Sequence, residues 1–598
     1  MTKGRRYFQI FLFAFGASLQ VSALAQNHAP PAHPDDAVRL ARIADEYWQY
    51  PLTDTFYARF LAGVPLNDLP DISEEKAKSD AAFAGHILHE LRSVNPAKLS
   101  HGDVITLKVL RWQAELEQGF AKYYWFDFVI DAHASVLPLV QRILDRRQFQ
   151  TKEDLDSYLR LLGQLKTVIV QTRAHAAGQA QRGIVLPKAG IPGAKVFLSS
   201  YIQEPDKSLF SVAPERLKAI DPALTGPFHE KVRNMIQSEI NPELRALIDY
   251  VDGDYVRKAP DAVGMQQYPG GKQYYRFMVR AYTTLEISPE EIHRVGVESV
   301  AQDEAQMAEL LSRIGFKGTR KEFREFLLTD PRFIAKKPEE VQERLMAYIR
   351  SIEPNIPSYF LHIPKAGYTI QRLEPGLEGA FAFGFYVEPS AGQPLGIFFF
   401  NGSQLNERSM YRAGPLILHE LVPGHHFQLN LTAENHGLPP FRRYAPFPAY
   451  SEGWADYSSQ LGSEMGAYHN DYDRYALLAQ NMHQSVRLVV DTGLNYMGWS
   501  LKQATQYMRE HELESETQIK TELLRYTTGT PAQALAYKMG SHEILALREK
   551  ARKELGKNFD IREFHDWVLG SGPMPLEVLD GHVQWCIEQA KKKSGVDR

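Results

Sequence analysis

The eight residues His419-Glu420-Leu421-Val422-Pro423-Gly424-His425-His426 close an apolar run and forbid a continuous helix where the chemistry is densest. Two imidazoles can hold a zinc ion, and a glutamate between them can take a proton from water. In the usual H-E-x-x-H pattern the second histidine sits at i+4, on the same helical face. Here i+4 is Pro423, and the next histidine, His425, is at i+6 (425 − 419 = 6). At ~3.6 residues per turn, i+6 lies roughly 240° around the helix, away from the face of His419. His426 returns to that face but is roughly 10 Å further along the axis, too far for one ion with Zn–N near ~2.1 Å. Pro423 supplies the distortion: it has no N–H for the carbonyl of His419, and its ring clashes with that carbonyl. Gly424 tolerates strained dihedrals. The spacing therefore predicts a helix that opens in a bulge at Pro423-Gly424 and brings His425 back towards His419. The competing reading is an ordinary Pro-Gly helix stop with histidines at the surface.

Downstream, residues 449 to 457 read AYSEGWADY. Glu452 and Asp456 are four apart, on one helical face. They could be a solvated acidic edge. Their neighbours Tyr450, Gly453, Trp454, Ala455 and Tyr457 instead read as a buried helix, where a carboxylate needs a cation or hydrogen bonds.

These segments, with SPEEIHRVG (288–296), FYVEPS (385–390), RLVVDTGLN (487–495), RYTTGTPAQALAYKMG (525–540) and FDIREFHDWVLGSGPMPL (559–576), resemble the bacterial domain-of-unknown-function family eight hundred and eighty-five. That family is placed with the gluzincins, the thermolysin-like zinc metallopeptidases. The resemblance runs from about residue 35 to about 590. It implies a zinc ion (Zn²⁺) held by His419, His425 and Glu452, with Glu420 as general base and a peptide as substrate. Asp456 would hydrogen-bond a ligand histidine and fix its tautomer. Tyr537 would stabilise the oxyanion, with Arg487 as a second candidate for that task or for a substrate carboxylate, and Asp491 orienting one of them. The alternative for Tyr537, Arg487 and Asp491 is a buried polar network joining two helices. One position departs from the pattern: the family's histidine after D-T-G-L is Asn495 here. Two other functions stay open: a metal-dependent hydrolase of non-peptide amides or esters, and a zinc-fold binding protein without catalysis. The intact Glu420 argues against the latter.

The first residues read as an export signal. Lys3, Arg5 and Arg6 precede an apolar stretch from Tyr7 to Val21, and Ala23-Leu24-Ala25 fits a cleavage site after Ala25. The stretch is shorter than the ~20 apolar residues of a membrane span, and no cysteine lies near the cleavage site to carry a lipid. No later run is long enough to cross a bilayer, so the expected location is the periplasm or the medium. With 44% hydrophobic and 23% charged residues the composition is globular. A net charge of −4 makes nucleic acid a poor partner. The single Cys586 excludes an intrachain disulfide and a cysteine-based zinc site.

Helical periodicity dominates, so the expected fold is mostly α (α+β): a large helical metallopeptidase-like body with a small β-sheet beside the zinc-binding helices and a central cleft. The expected organisation is a signal peptide (1–25), a flexible N-terminus (26–36), an N-terminal helical part (37–285) and a catalytic part (286–598), the last two either separate or forming one body. Ser288-Pro289-Glu290-Glu291 predicts a capping box opening a helix to about Arg313. Strand-like runs are YYRFMVRAY (274–282), SYFLHI (358–363), FAFGFYV (381–387) and GIFFF (396–400), the last two arranged as a hairpin. Oligomeric state is not legible.

Overall fold

In a computed structural model, residues 34–375, 378, 384–389, 393–512 and 514–594 are described. The export signal and its cleavage site fall outside them. Helices make up most of the described chain. Those that position the site are α1 (Leu137–Asp145), α2 (Gly271–Thr283) and α3 (Pro289–Ile314) in the first half. A three-stranded sheet follows, with β1 (Tyr368–Arg372), β2 (Gly384–Val387) and β3 (Gly396–Phe400). Then come α4 (Ala413–Glu420), α5 (His425–Glu434), α6 (Pro448–Met465), α7 (Asp471–Asn495) and α8 (Leu535–Leu555).

Local chemistry sets the ends of these helices. Ser288 accepts from the Glu291 amide at the start of α3, and Gly315 ends that helix at φ 75°. The expected box is only half formed, because the Glu291 carboxylate turns to Arg294 at 2.7 Å. Pro448 opens α6 at a position where its missing N–H loses no helical bond. Gly466 closes α6 in the left-handed region.

The sheet order is β1-β3-β2, with β1 parallel and β2 antiparallel to β3. The pairing of Gly384 with Phe400 and Val387 with Ile397 confirms the expected partnership of the third and fourth runs. Two other expectations fail. Residues 274–282 lie in helix α2, whose apolar residues Tyr274, Tyr275, Met278 and Val279 recur at helical spacing and are buried. Aromatic content had mimicked a strand there. Residues 358–363 belong to no strand: Ile356–Tyr359 is a short helix and the chain then runs irregularly. Strand β1 was not foreseen; at five residues with only Ile370 fully buried, it carries little periodic signal.

Three apolar clusters form the interior, and each draws side chains from both sides of residue 285. One joins Leu40 to Ala114 with Ile417, Trp454 and Ile544. Helices α6 and α8 cross at Gly453 and Gly540. A Cβ on Gly540 would stand 1.9 Å from the Ala449 carbonyl oxygen, and one on Gly453 would stand 2.5 Å from the Gly540 Cα. Only two glycines permit this backbone approach, which brings Tyr537 of α8 beside Glu452 of α6.

Candidate metal centre

The helix does not bulge at Pro423-Gly424; it ends and restarts. α4 stops at Glu420, residues 421–424 form a turn, and α5 begins at His425. The Val422–Pro423 bond is cis. Gly424 folds back so far that a Cβ there would lie 1.8 Å from the His419 carbonyl oxygen and 2.4 Å from that of Leu418. Glycine is therefore required by close approach. The turn is gripped from α6: Trp454 Nε1 donates to the Pro423 carbonyl at 2.9 Å, and Ser458 Oγ donates to the same oxygen at 3.3 Å. A break rather than a bulge still does what the spacing demanded. The His419 and His425 rings stand 4.9 Å apart, nearly perpendicular.

Both Nε2 atoms face one oxygen. Glu452 Oε2 is 3.4 Å from His419 Nε2 and 3.3 Å from His425 Nε2. Neither contact has hydrogen-bond geometry, so this buried oxygen has no donor. Three ligand atoms of His419, His425 and Glu452 lie within 4.8 Å of one another. Two nitrogens and an oxygen aimed at a common point is the donor set of a zinc site that keeps one position open. On the far side of His419, Nδ1 donates to Asp456 Oδ1 at 3.0 Å. In the neutral ring that bond leaves the Nε2 lone pair pointing at the cluster. Gln480 Nε2 donates to the same Asp456 oxygen at 3.5 Å and completes this support.

The electrostatics are those of a confined anionic cluster. Burial alone would lower His419, but Asp456 and Glu452 outweigh it and raise it to about 10. Burial would raise Glu452, yet the two histidines pull it well below the carboxylate range. Glu420, beside them, is raised above the ordinary glutamate value, first by burial and then by Glu452, against the pull of His419 and His425. The Tyr386 backbone of β2 also hydrogen-bonds Glu420, so the outer strand of the sheet runs past the cluster.

Tyr537 stacks on His419, ring centroids 6.1 Å apart and 15° from parallel. Burial and then the charge of Glu452 hold its phenol well above its usual value, so it stays protonated. Arg487 lies with its guanidinium 4.8 Å over the Tyr537 ring, but its N–H groups go to Tyr526, Gln484 and Glu522. It supports Tyr537 rather than presenting donors to a substrate. Asp491 does not orient Arg487 or Tyr537 directly: it accepts from Tyr275, Asn495 and the Ala532 amide. Ala532 has φ 70°, and the bond pins the turn that starts α8. Asn495 is fully buried in the same network, donating to the Tyr526 carbonyl and accepting from the Met265 amide. His426 points away from the cluster, to the Tyr386 hydroxyl at 3.0 Å and the Ala366 carbonyl at 3.0 Å. Sequence reasoning missed the grip of Trp454 and Ser458 on Pro423 and the approach of Tyr386 to Glu420. Trp454 lay in a motif already singled out, but nothing in one sequence pairs it with residue 423.

A second group, His483, Glu512 and Glu514, meets the same distance criterion. His483 Nδ1 is 3.0 Å from Glu512 Oε2, and Arg412 takes Glu514 at 2.6 Å. Burial, then Arg487, holds His483 well below its usual value, and burial, then Glu514 and Glu522, holds Glu512 well above its own.

Comparison with known proteins agrees with the fold. No curated protein matches. A candidate lipoprotein from Colwellia psychrerythraea superposes with a TM-score of 0.84 at 26% identity, covering 93% of this chain and 99% of that one. A candidate lipoprotein of unknown function from Shewanella oneidensis superposes with a TM-score of 0.67 at 16% identity, over 92% and 97% of the two chains. The profile described as "Bacterial protein of unknown function (DUF885)" matches residues 58–583, so the chain belongs to that family.

Proposed function

We propose that this protein is a zinc-dependent peptidase related to the gluzincins, hydrolysing peptide bonds with metal-activated water. One observation carries the reading: the donorless Glu452 oxygen with the Nε2 atoms of His419 and His425 at 3.4 and 3.3 Å. The donors fit zinc, since all are nitrogen or oxygen and the His419 tautomer is fixed by Asp456. Bound there, zinc would supply Lewis acidity and a water that ionises near neutral pH.

The chain's own residues supply the rest. Glu420, next to His419 in the chain and buried beside the cluster, takes the proton of the attacking water and passes it to the leaving amine. Tyr537, kept protonated, donates to the oxyanion. Arg487 covers the Tyr537 ring and limits its rotation. Strand β2 is an outer strand of the sheet among the described residues and runs near Glu420, where an extended peptide can add as a strand. We also place the protein outside the cytoplasm. The reading rests on the N-terminal signal sequence and is compatible with relatives described as candidate lipoproteins. No helix among the described residues is long and apolar enough to cross a membrane.

The test is a peptide-library digest read by mass spectrometry on zinc-loaded protein, with Glu420→Gln as control. Cleavage at peptide bonds by the parent and not by the control is expected. A zinc-loaded parent that cleaves no peptide, or a control as active as the parent, would overturn the reading.

A further inference from the structure

The metal centre leaves His426 unused, although it is buried and stands next to His425 in the chain. Helix α5 opens with the two side by side. His425 turns its Nε2 towards the Glu452 oxygen, and His426 turns to the sheet. Its Nε2 lies 3.0 Å from the Ala366 carbonyl oxygen, two residues before β1. Its Nδ1 lies 3.0 Å from the Tyr386 hydroxyl of β2. Gly396, the first residue of β3, must lack a side chain, since a Cβ there would stand 2.5 Å from that hydroxyl and 2.6 Å from Nδ1. Tyr368 of β1 meets the same imidazole edge to face, ring centroids 5.2 Å apart. One imidazole therefore touches all three strands.

The bonds run in one direction. A carbonyl only accepts, so Nε2 carries the ring proton and donates to Ala366. Asn430, one turn further along α5, donates its amide to the Tyr386 hydroxyl at 3.0 Å. The hydroxyl gives its own proton to Nδ1, and the neutral ring is satisfied at both nitrogens. At the far end of α5, Glu434 accepts from the Lys365 and Ala366 amides at 2.9 and 3.1 Å. The helix that presents His425 thus grips the entry to β1 from both its ends, and β2 through Tyr386. A peptide added to β2 takes its place from the strand's backbone, and a slip of one residue moves it roughly 3.4 Å. Hydrolysis tolerates less, since a misplacement of about 1 Å can cost on the order of 10²-fold. The Tyr386–His426 bond ties the strand to the residue after a metal ligand, one Cα step of ~3.8 Å away.

We propose that His426 is a positioning residue for the substrate: through Tyr386 it sets the offset between strand β2 and the ligand His425, so that the site selects extended oligopeptides by their backbone. The proposal rests on the peptidase reading above.

A length series of one neutral repeated sequence, from two to six residues, tests it on zinc-loaded protein. In the parent, kcat/KM should rise with length. Tyr386→Phe removes one oxygen of the bridge. It should raise KM roughly 3–10-fold for the longest peptides, the scale of a single hydrogen bond, and progressively less for shorter ones. The fall in kcat should be smaller than the rise in KM. His426→Ala should show the same dependence on length. His426→Asn places an acceptor near the former Nδ1 and should recover part of the loss, but not when combined with Tyr386→Phe. Every variant should retain zinc. A KM change equal at all lengths, or a His426→Asn no better than His426→Ala, would show a merely structural role and overturn the proposal. So would loss of zinc from Tyr386→Phe. If the parent cleaves no peptide of the series, the peptidase reading has failed instead. Fluorescence anisotropy of the same peptides, labelled, then decides the role of His426. Affinity that climbs with length in the parent and stays flat in Tyr386→Phe would sustain it. The same climb in both proteins, or no binding to the parent, would sink it.

Discussion

Among the described residues two groups of three potential ligands occur, and they are opposite in how their charge is balanced. Around His419, His425 and Glu452, the ion-pair partners of the carboxylates among the described residues are imidazoles. Around His483, Glu512 and Glu514, arginines do the balancing: Arg412 takes Glu514, and Arg487 and Arg525 take the adjacent Glu522. The consequence is visible in the histidines. His419 is raised to about 10, whereas His483 is pushed well below its usual value by burial and the arginine charges. A divalent cation entering the first group meets negative charge that no fixed cation has claimed. Entering the second, it meets three guanidiniums already in place. Distance between donors is thus a weak criterion for a metal site, and uncompensated charge is a stronger one.

The largest expected effect breaks or confirms this contrast outright. His425→Ala or Glu452→Gln should lose about one zinc per chain in metal analysis by mass spectrometry. His483→Ala and Glu512→Gln should keep it. The reverse pattern would show that the second group is the metal centre. Next in size, Glu420→Gln should retain zinc and lower peptide hydrolysis on the order of 10²–10⁴-fold, the range for a missing acid–base group. Activity within a factor of two of the parent would remove Glu420 from its role.

Part of this contrast was legible in the chain. The His-Glu-x-x-Pro-Gly-His spacing demanded that an ideal helix fail between His419 and His425, because Pro423 cannot bond to the His419 carbonyl. Whether it fails by a bulge or a full break depends on what holds Pro423, and those groups, Trp454 and Ser458, come from 31 and 35 residues further on. Helix α3 was legible from its Ser288 cap and Pro289, since capping is a local matter. Helix α2 was not: its tyrosines and Phe277 have strand propensity, and burial of Tyr274, Tyr275 and Met278 against distant residues overrides it. For Arg487 the sequence left a substrate role and a buried polar network side by side; Glu522, Tyr526 and Gln484 use its donors as the network requires, and they converge only in three dimensions.

A smaller effect sharpens the account of the first group. Asp456→Asn keeps the size of the side chain and can leave a hydrogen bond to His419, but it removes the charge that fixes the imidazole tautomer. Loss of such a partner lowers metal affinity about 10–100-fold. Competition with a chelator of known affinity would measure it. Unchanged affinity would show that packing from Tyr537 holds the ring without Asp456.

The smallest effect tests the second group as a proton store. Burial first, then Glu514 and Glu522, raise Glu512 well above the ordinary glutamate value in the folded chain. In the unfolded chain it titrates near ~4.3. Between those two values the folded state holds one proton more than the unfolded state, so stability falls as pH rises through this window. The contribution is fully present below the unfolded value and lost towards the folded one, at most about 1.4 kcal/mol per pH unit. Glu512→Gln mimics the protonated form and cannot titrate. Melting temperatures across about pH 4–8 should therefore fall more steeply for the parent than for Glu512→Gln, and the two curves should separate increasingly above pH ~5. Both proteins should carry the same zinc throughout, since His419, His425 and Glu452 are untouched. Parallel curves would mean that Arg412 and Arg487 keep Glu512 ionised in the fold, and the contrast between the two groups would then rest on Glu514 alone.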